Sequence, residues 1–377
     1  MQKTTKNISP TKLAWHKLKS NYLAVSGLVI IVAFLLVAVL GPFIRLDDSP
    51  KANQQHIELA RKQPGFQLSF IKVPNTLGYN NQSFFEKWIF GVKPNHKLAP
   101  FYSFKLIEDK LLIEKYTGLV PNNGEEIIFE ASDFSLSELD QEIVLKQLIT
   151  TKTFWLGTDR YGRDLLSRLM AGTWISFTVG FISIFISLII GISLGAAAGF
   201  FRGKLDDVIV WFINVVWSIP TLLLVIAITL ALGKGFWQVF VAVGLTKWVE
   251  VARVVRGQVM SLREMEYVEA GKALGFKPAR IIAKHLLPNT LGPIIVISAA
   301  NFAAAILIEA GLSFLGLGAQ PPQATWGKMI SEHKGYIITG DAFLAIFPGI
   351  AIFLLVLSFV LVGNGLRDAF DTKRSLD

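Results

Sequence analysis

Residues 269–289 read EAGKALGFKPARIIAKHLLPN, a basic stretch broken by glycine and holding two prolines between long apolar runs. Tyr267 to Leu274 consists mostly of good helix formers. A helix there places Ala270, Gly271 and Leu274 on one side, a small-residue face expected to accept close packing. Gly275 is expected to end that helix, because glycine takes the left-handed conformation without steric cost. Pro278 suits the first turn of a second helix, along which Ile281, Ile282, His285 and Leu286 form an apolar stripe. Pro288 is expected to close or kink this helix as the next apolar run begins. The stretch therefore reads as helix, turn, helix, lying outside lipid but joined to it at both ends.

The surrounding chain supports a membrane setting. Of 377 residues, 52% are hydrophobic and only 17% charged, which is lean for a soluble domain. Charge-free windows run over residues 20–44, 169–201, 208–233, 285–308 and 342–366, each covering the roughly 20 residues a helix needs to cross a bilayer. A sixth, over residues 235–246, is short, but a snorkelling Lys247 would extend it to Val249. Six transmembrane helices are expected. Lys3, Lys6, Lys12, Lys17 and Lys19 precede the first window. That run is too long for a signal peptide and lacks a small-residue exit, so it reads as an uncleaved anchor. The absence of cysteine rules out disulfides and thiolate chemistry.

The net charge of +9 is an orientation signal rather than a nucleic-acid footprint. With a cytoplasmic amino terminus, the inner segments 1–19, 202–207, 250–284 and 367–377 hold 5, 2, 7 and 3 Lys/Arg, and the short outer loops hold only Lys234, Lys328 and Lys334. This asymmetry obeys the positive-inside rule and places both termini in the cytoplasm. Residues 45–168 carry 16 basic and 16 acidic residues and are neutral.

Three units follow: residues 1–44 with the first span, an extracytoplasmic insertion over 45–155, and a core over 156–377 with five spans and a cytoplasmic loop at 250–288. In the insertion, FYSFKLIEDKLLIEKY reads as two strands and EEIIFEASDF as a third. SLSELDQEIVLKQLI reads as a short helix, and Phe84, Phe85, Trp88 and Phe90 as a small core. Beyond it, Asp159, Arg160, Arg163, Asp164 and Arg168 form a charged collar, with Gly157 and Gly162 in tight turns. Asp159, Arg163 and Asp164 are assigned a structural or gating role. Gly191, Gly195 and Gly199, at four-residue spacing, are expected to admit a neighbouring helix, and Pro220 to kink the third span. Glu309, at the outer end of an otherwise uncharged span, is assigned a structural or gating role. The five histidines are dispersed and suggest no metal site.

A basic helix-turn-helix tethered to spans could rest on anionic lipid or read DNA, but a stiff, partly apolar unit of this kind best suits docking to another protein. Here the chain resembles the permease subunits of ATP-binding-cassette importers, whose cytoplasmic signature E-A-A-x3-G-x9-I-x-L-P falls on Glu269, Ala270, Gly271, Gly275, His285, Leu287 and Pro288. LGTDRYGRDLLSR, EYVEAGKALGF, KHLLPN, EAGLSFLGLGAQPPQATWG and GNGLRDAFD resemble the C-type permease of dipeptide and oligopeptide importers. These stretches extend over residues 154–371. Gly271 and His285 replace alanine and isoleucine of the general signature; Asn364 and Thr372 stand where aspartate and proline are expected. The insertion lies outside the resemblance.

The resemblance implies an all-α polytopic type I importer permease fold of six transmembrane helices with a cytoplasmic coupling helix, in a bacterial inner membrane. It also implies a second permease, two cytoplasmic ATPases and an external solute-binding protein. No G-x-x-x-x-G-K-[ST] loop occurs, so ATP and Mg would be held by the partner ATPases. The chain would contribute no catalytic, cofactor or metal residue. Glu269, Ala270, Gly271, Gly275, Leu287 and Pro288 would form and position the ATPase-docking element. Peptides are the expected cargo. Nickel chelates or other small solutes are the alternative, and a secondary transporter is a weaker one.

Overall fold

The computed structural model describes residues 10–74, 83, 86–87, 96–107, 110–118, 120–122, 124–134, 136, 140–233 and 235–370. The expected aromatic core of Phe84, Phe85, Trp88 and Phe90 lies outside the described residues.

Helix α1 (Pro10–Ser20) leads into α2 (Tyr22–Ile44). Asn21 separates them: its Oδ1 accepts from the Ala24 amide at 3.1 Å, capping α2. The buried positions of α2 are all small, Ala24, Gly27, Ala38 and Gly41, so one narrow face packs while the rest stays apolar and exposed. A Cβ on Gly27 would lie 2.8 Å from the Ser358 carbonyl.

The insertion is a five-stranded antiparallel sheet. Its strands are β1 (Phe66–Pro74), β2 (His96–Ile107), β3 (Lys110–Lys115), β4 (Glu126–Glu130) and β5 (Ile149–Phe154), in the order β4-β3-β2-β1-β5. β2, β3 and β4 are the expected strands, whereas β1 and β5 were not foreseen. The expected helix appears as Gln141–Ile143 followed by a π-turn over Val144–Leu148, its beginning lying mostly outside the described residues. On one face Ile71, Phe101, Leu111 and Ile113 pack under Val144 and Leu148. On the other, Phe70, Tyr116 and Phe154 pack with Leu59.

After the sheet come α3 (Leu165–Phe201), α4 (Gly203–Ser218), α5 (Thr221–Leu232), α6 (Phe236–Leu262) and α7 (Glu266–Ala273). They are followed by α8 (Pro278–Ile281), a π-turn (Ile282–Leu286), α9 (Leu287–Phe314), α10 (Trp326–His333) and α11 (Phe343–Phe370). Among the described residues, α2, α3, the continuous stretch Pro278–Phe314 and α11 are long and apolar enough to cross a membrane. The pair α4 and α5, bent by 94°, makes a fifth if counted as one span. The bend falls at Ile219-Pro220, where both residues have extended ψ angles of 130° and 124°. The proline breaks the span rather than merely kinking it.

α6 is helical over 27 residues, about 40 Å. The loop expected from residue 250 therefore begins only after Leu262: Val251, Val255 and Val259, four residues apart, carry the buried face onward. Lys247 does not snorkel. It is buried, and its Nζ donates to Glu250 Oε1 at 2.7 Å, because an acid one turn away costs less than stretching past apolar neighbours.

Gly191, Gly195 and Gly199 face α6: added Cβ atoms would lie 2.7, 2.5 and 2.7 Å from the carbonyls of Trp248, Ala252 and Arg256. The backbones meet where no side chain fits. Deeper in the bundle, Phe302 and Phe359 stack at 4.0 Å. Trp326 Nε1 donates to the Leu169 carbonyl at 3.0 Å, tying α10 to α3.

Candidate docking element and charged collar

The amide of Gly275 donates to the Lys272 carbonyl at 2.9 Å and that of Phe276 to the Gly271 carbonyl at 3.1 Å. This pair of bonds is the Schellman termination of α7. It requires the left-handed backbone that Gly275 adopts at φ +76°. Phe276 then folds back against Gly271, whose missing Cβ would lie 3.4 Å from its ring. The same ring stacks on His285 at 6.1 Å and carries the Arg280 guanidinium 4.2 Å above it.

One detail differs from expectation. Gly271 does not share a face with Ala270 and Leu274; it turns inward with Val268, and both are buried. The inner face is anchored by Val268, so Tyr267, Ala270 and Leu274 are left on the outer face, with Leu274 at 74% exposure and Met265 close by at 46%. Glu269 is exposed as well. Leu287 is half-buried and Pro288 exposed at the start of α9. Pro288 does not close the second helix, which is instead interrupted by a π-turn just before it. Its missing amide would have served the Lys284 carbonyl, and the π-turn over Ile282–Leu286 takes up the mismatch while the helix continues from Pro278 to Phe314.

Under α7, Val268, Ile281 and Leu286 form one buried cluster with Phe200 of α3 and Val255 and Val259 of α6. Arg202 pairs with Glu264, just before α7. Arg256 grips Asp206 of α4 through two parallel bonds of 2.6 and 2.7 Å. A short helix whose outer face mixes apolar and acidic side chains thus rests on the ends of three long helices.

At the other end of the bundle, Asp159, Arg163, Asp164 and Arg168 are all buried. Arg163 Nε donates to Asp159 Oδ2 at 2.6 Å, and Arg168 Nε lies 3.6 Å from the same oxygen. Glu332 of α10 stands 3.6 Å from Arg163 and 3.8 Å from Arg160. Asp164 caps α3, accepting from the Ser167 amide at 2.8 Å; burial pushes its carboxyl above the usual range. Burial also holds Lys152, His56 and His333 below their ordinary values.

Sequence reasoning missed the segment before β1 that completes the collar. Asn53 Oδ1 accepts from Arg163 at 3.0 Å and the Ala52 carbonyl from Arg168 at 3.3 Å. The Ser167 hydroxyl receives the Asp47 amide at 3.0 Å, and Arg61 reaches Asp341 at 3.2 Å. Gly157 and Gly162, at φ +78° and +70°, have no room for a side chain beside the Lys62 and His56 carbonyls. Two glycines five residues apart were the available signal. Glu309, assigned from sequence to structure or gating, is buried in α9, where the Ser313 hydroxyl donates to it at 2.6 Å and Thr325 also hydrogen-bonds it. It ties α9 to the loop before α10, and the structure brings it to neither the docking helix nor the collar carboxylates.

Residues 187–376 match the family described as binding-protein-dependent transport system inner membrane component. Residues 9–64 match the N-terminal TM domain of oligopeptide transport permease C. The chain is similar to the dipeptide transport system permease protein DppC of Alkalihalophilus pseudofirmus, 42% identical over 219 residues, 58% of this chain and 72% of the relative. DppC of Bacillus subtilis is 40% identical over 237 residues, 63% and 74% of the two chains. The glutathione transport system permease protein GsiD of Pectobacterium atrosepticum is 40% identical over 219 residues, 58% and 72%. Among solved structures, a chain of the inward-facing MetNI methionine ABC transporter superposes with a TM-score of 0.44 at 23% identity, over 54% of this chain and 96% of that one.

Proposed function

We propose, since the chain belongs to the family of inner membrane components of binding-protein-dependent transport systems, that it is a permease subunit of an ATP-driven importer of dipeptides or oligopeptides. The observation that carries this reading is α7. Its inner face shares one apolar cluster with α3, α6 and α9, while its outer face leaves Tyr267, Ala270 and Leu274 exposed beside Glu266 and Glu269. An ATPase gripping the outer face would move three long helices together, a rigid-body switch between inward- and outward-facing states. Glu269, Ala270 and the outer apolar residues make the contact in this reading. Gly271 and Gly275 shape the helix, and Leu287 and Pro288 join it to α9.

The multi-pass chain crosses the inner membrane six times in type I fashion: α2, α3, the bent α4–α5 pair, α6, the Pro278–Phe314 stretch and α11. Both termini and α7 then lie in the cytoplasm, beside two ATPases that hold ATP and Mg. The collar and the sheet lie on the outer side, where a solute-binding protein delivers cargo to a pathway shared with a second permease. Affinity purification from the native membrane tests the assembly. An ATPase and a second permease should accompany the chain; peptide uptake by the chain alone would refute the reading.

A further inference from the structure

Between α6, α9 and α11 lies a cavity of about 630 Å³, within the size range of small-molecule pockets. Its wall on α11 is a single stripe from Phe359 through Gly363 to Arg367 and Phe370, and Val296 and Ala300 of α9 face it. A Cβ on Gly292, at the start of α9, would lie 3.0 Å from the Phe370 ring. The Arg367 end of the cavity is therefore the end of the bundle that carries α7 and α8.

That end is polar. Gln258 of α6 and Asn364 and Arg367 of α11 line it, and none of the three has a hydrogen-bond or ion-pair partner among the described residues. Among the described residues no acid lines the cavity; Asn364 and Arg367 stand exposed in it, and Asp368, next along α11, is exposed outside it. Two unpaired amides beside a lone guanidinium are costly against a lipid tail, which offers nothing to bond. They suit a ligand with a carboxylate and backbone amides. We propose that this cavity is a station on the cytoplasmic half of the transport path, where Arg367 takes a peptide's terminal carboxylate and Gln258 and Asn364 take its amide groups. This rests on the peptide-importer reading and adds residues to it.

The chain's lack of cysteine permits a direct test. Val360→Cys puts one thiol on the cavity wall. The complex with its second permease and ATPases is reconstituted in vesicles, and thiol modification from the cytoplasmic side is timed with anionic and cationic methanethiosulfonates. The anionic reagent should react several-fold faster, and a tripeptide should slow labelling about tenfold more effectively than its C-terminal amide. Arg367→Gln should erase both differences and Arg367→Lys retain them. Identical behaviour in the Gln variant would overturn the assignment. So would a thiol that never reacts in the assembled complex, since the partner permease would then fill the cavity, or protection by phosphatidylglycerol vesicles without peptide. ATP-driven tripeptide uptake, measured in the same vesicles with the binding protein supplied, separates the two levels. No uptake by the unsubstituted complex removes the importer reading, whereas uptake without carboxylate-selective protection removes only the station.

Discussion

Gly275 concentrates the docking geometry in one backbone angle. At φ +76° a proline cannot form and a β-branched residue is strained by about 1–3 kcal/mol. Proline also removes the amide that donates to Lys272. Gly275→Pro is therefore expected to leave the subunit inserted, abolish uptake and release ATP hydrolysis from its dependence on loaded binding protein; full transport would sink the docking assignment. At the collar, Asp159 is the carboxylate that both Arg163 and Arg168 approach. Asp159→Asn removes the carboxylate nearest both buried cations, leaving Arg168 the Ala52 carbonyl and Arg163 Asn53 and the more distant Glu332, and should cost about 3–5 kcal/mol, read as a lower melting temperature of the purified complex. His56 gives the collar a pH dependence of known sign. Burial depresses its folded pKa below the ordinary 6.5, so its contribution is complete above that value and lost as pH falls through the folded one. Melting temperature should decline on acidification, and His56→Gln should flatten that decline.

Elements differ in how plainly they were written into the chain. The four-residue spacing of Gly191, Gly195 and Gly199 announces a helix contact, and the structure supplies its partner, α6. Gly195→Leu should push α3 off α6 and lower both yield and melting temperature, more than Gly257→Leu, where nothing lies within 4 Å. The docking turn was legible because Gly275 and Pro278 act through local sterics. That the helix continues through Pro288 was not legible, because a π-turn satisfies the backbone by a route that sequence does not display. β1 escaped notice because Phe70 and Ile71, neighbours on opposite faces, are both fully buried, and a sheet covered on both sides loses the alternation that marks a strand. β5, ITTKTF, is rich in strand-favouring threonine but lacks the apolar alternation that marks a strand. The collar's partners at Asp47, Ala52 and Asn53 sit more than 100 residues from theirs, a distance that no local pattern bridges.

At the scale of the molecule, the helical bundle carries α7, the proposed docking helix, at one end and a polar collar at the other, with the sheet attached beyond the collar. Residues 45–65 belong structurally to the collar, which leaves the sheet itself, residues 66–154, as the separable unit. Joining Ser69 to Thr151, which face each other in the register, through an Asn-Gly turn should give a chain that still inserts and still purifies with its partner permease. Loss of that assembly would show the sheet to be part of the bundle's own fold. The reason lies in one pairing, Phe66 with Phe154: the chain leaves the bundle and returns to it on adjacent strands, about 4.8 Å apart. The sheet also packs on Leu59, but it enters and leaves the bundle only through these adjacent strands, so it can be lengthened or exchanged without rethreading a single helix. The end of the bundle that bears the sheet is thus free to diversify while the helices beneath it stay fixed.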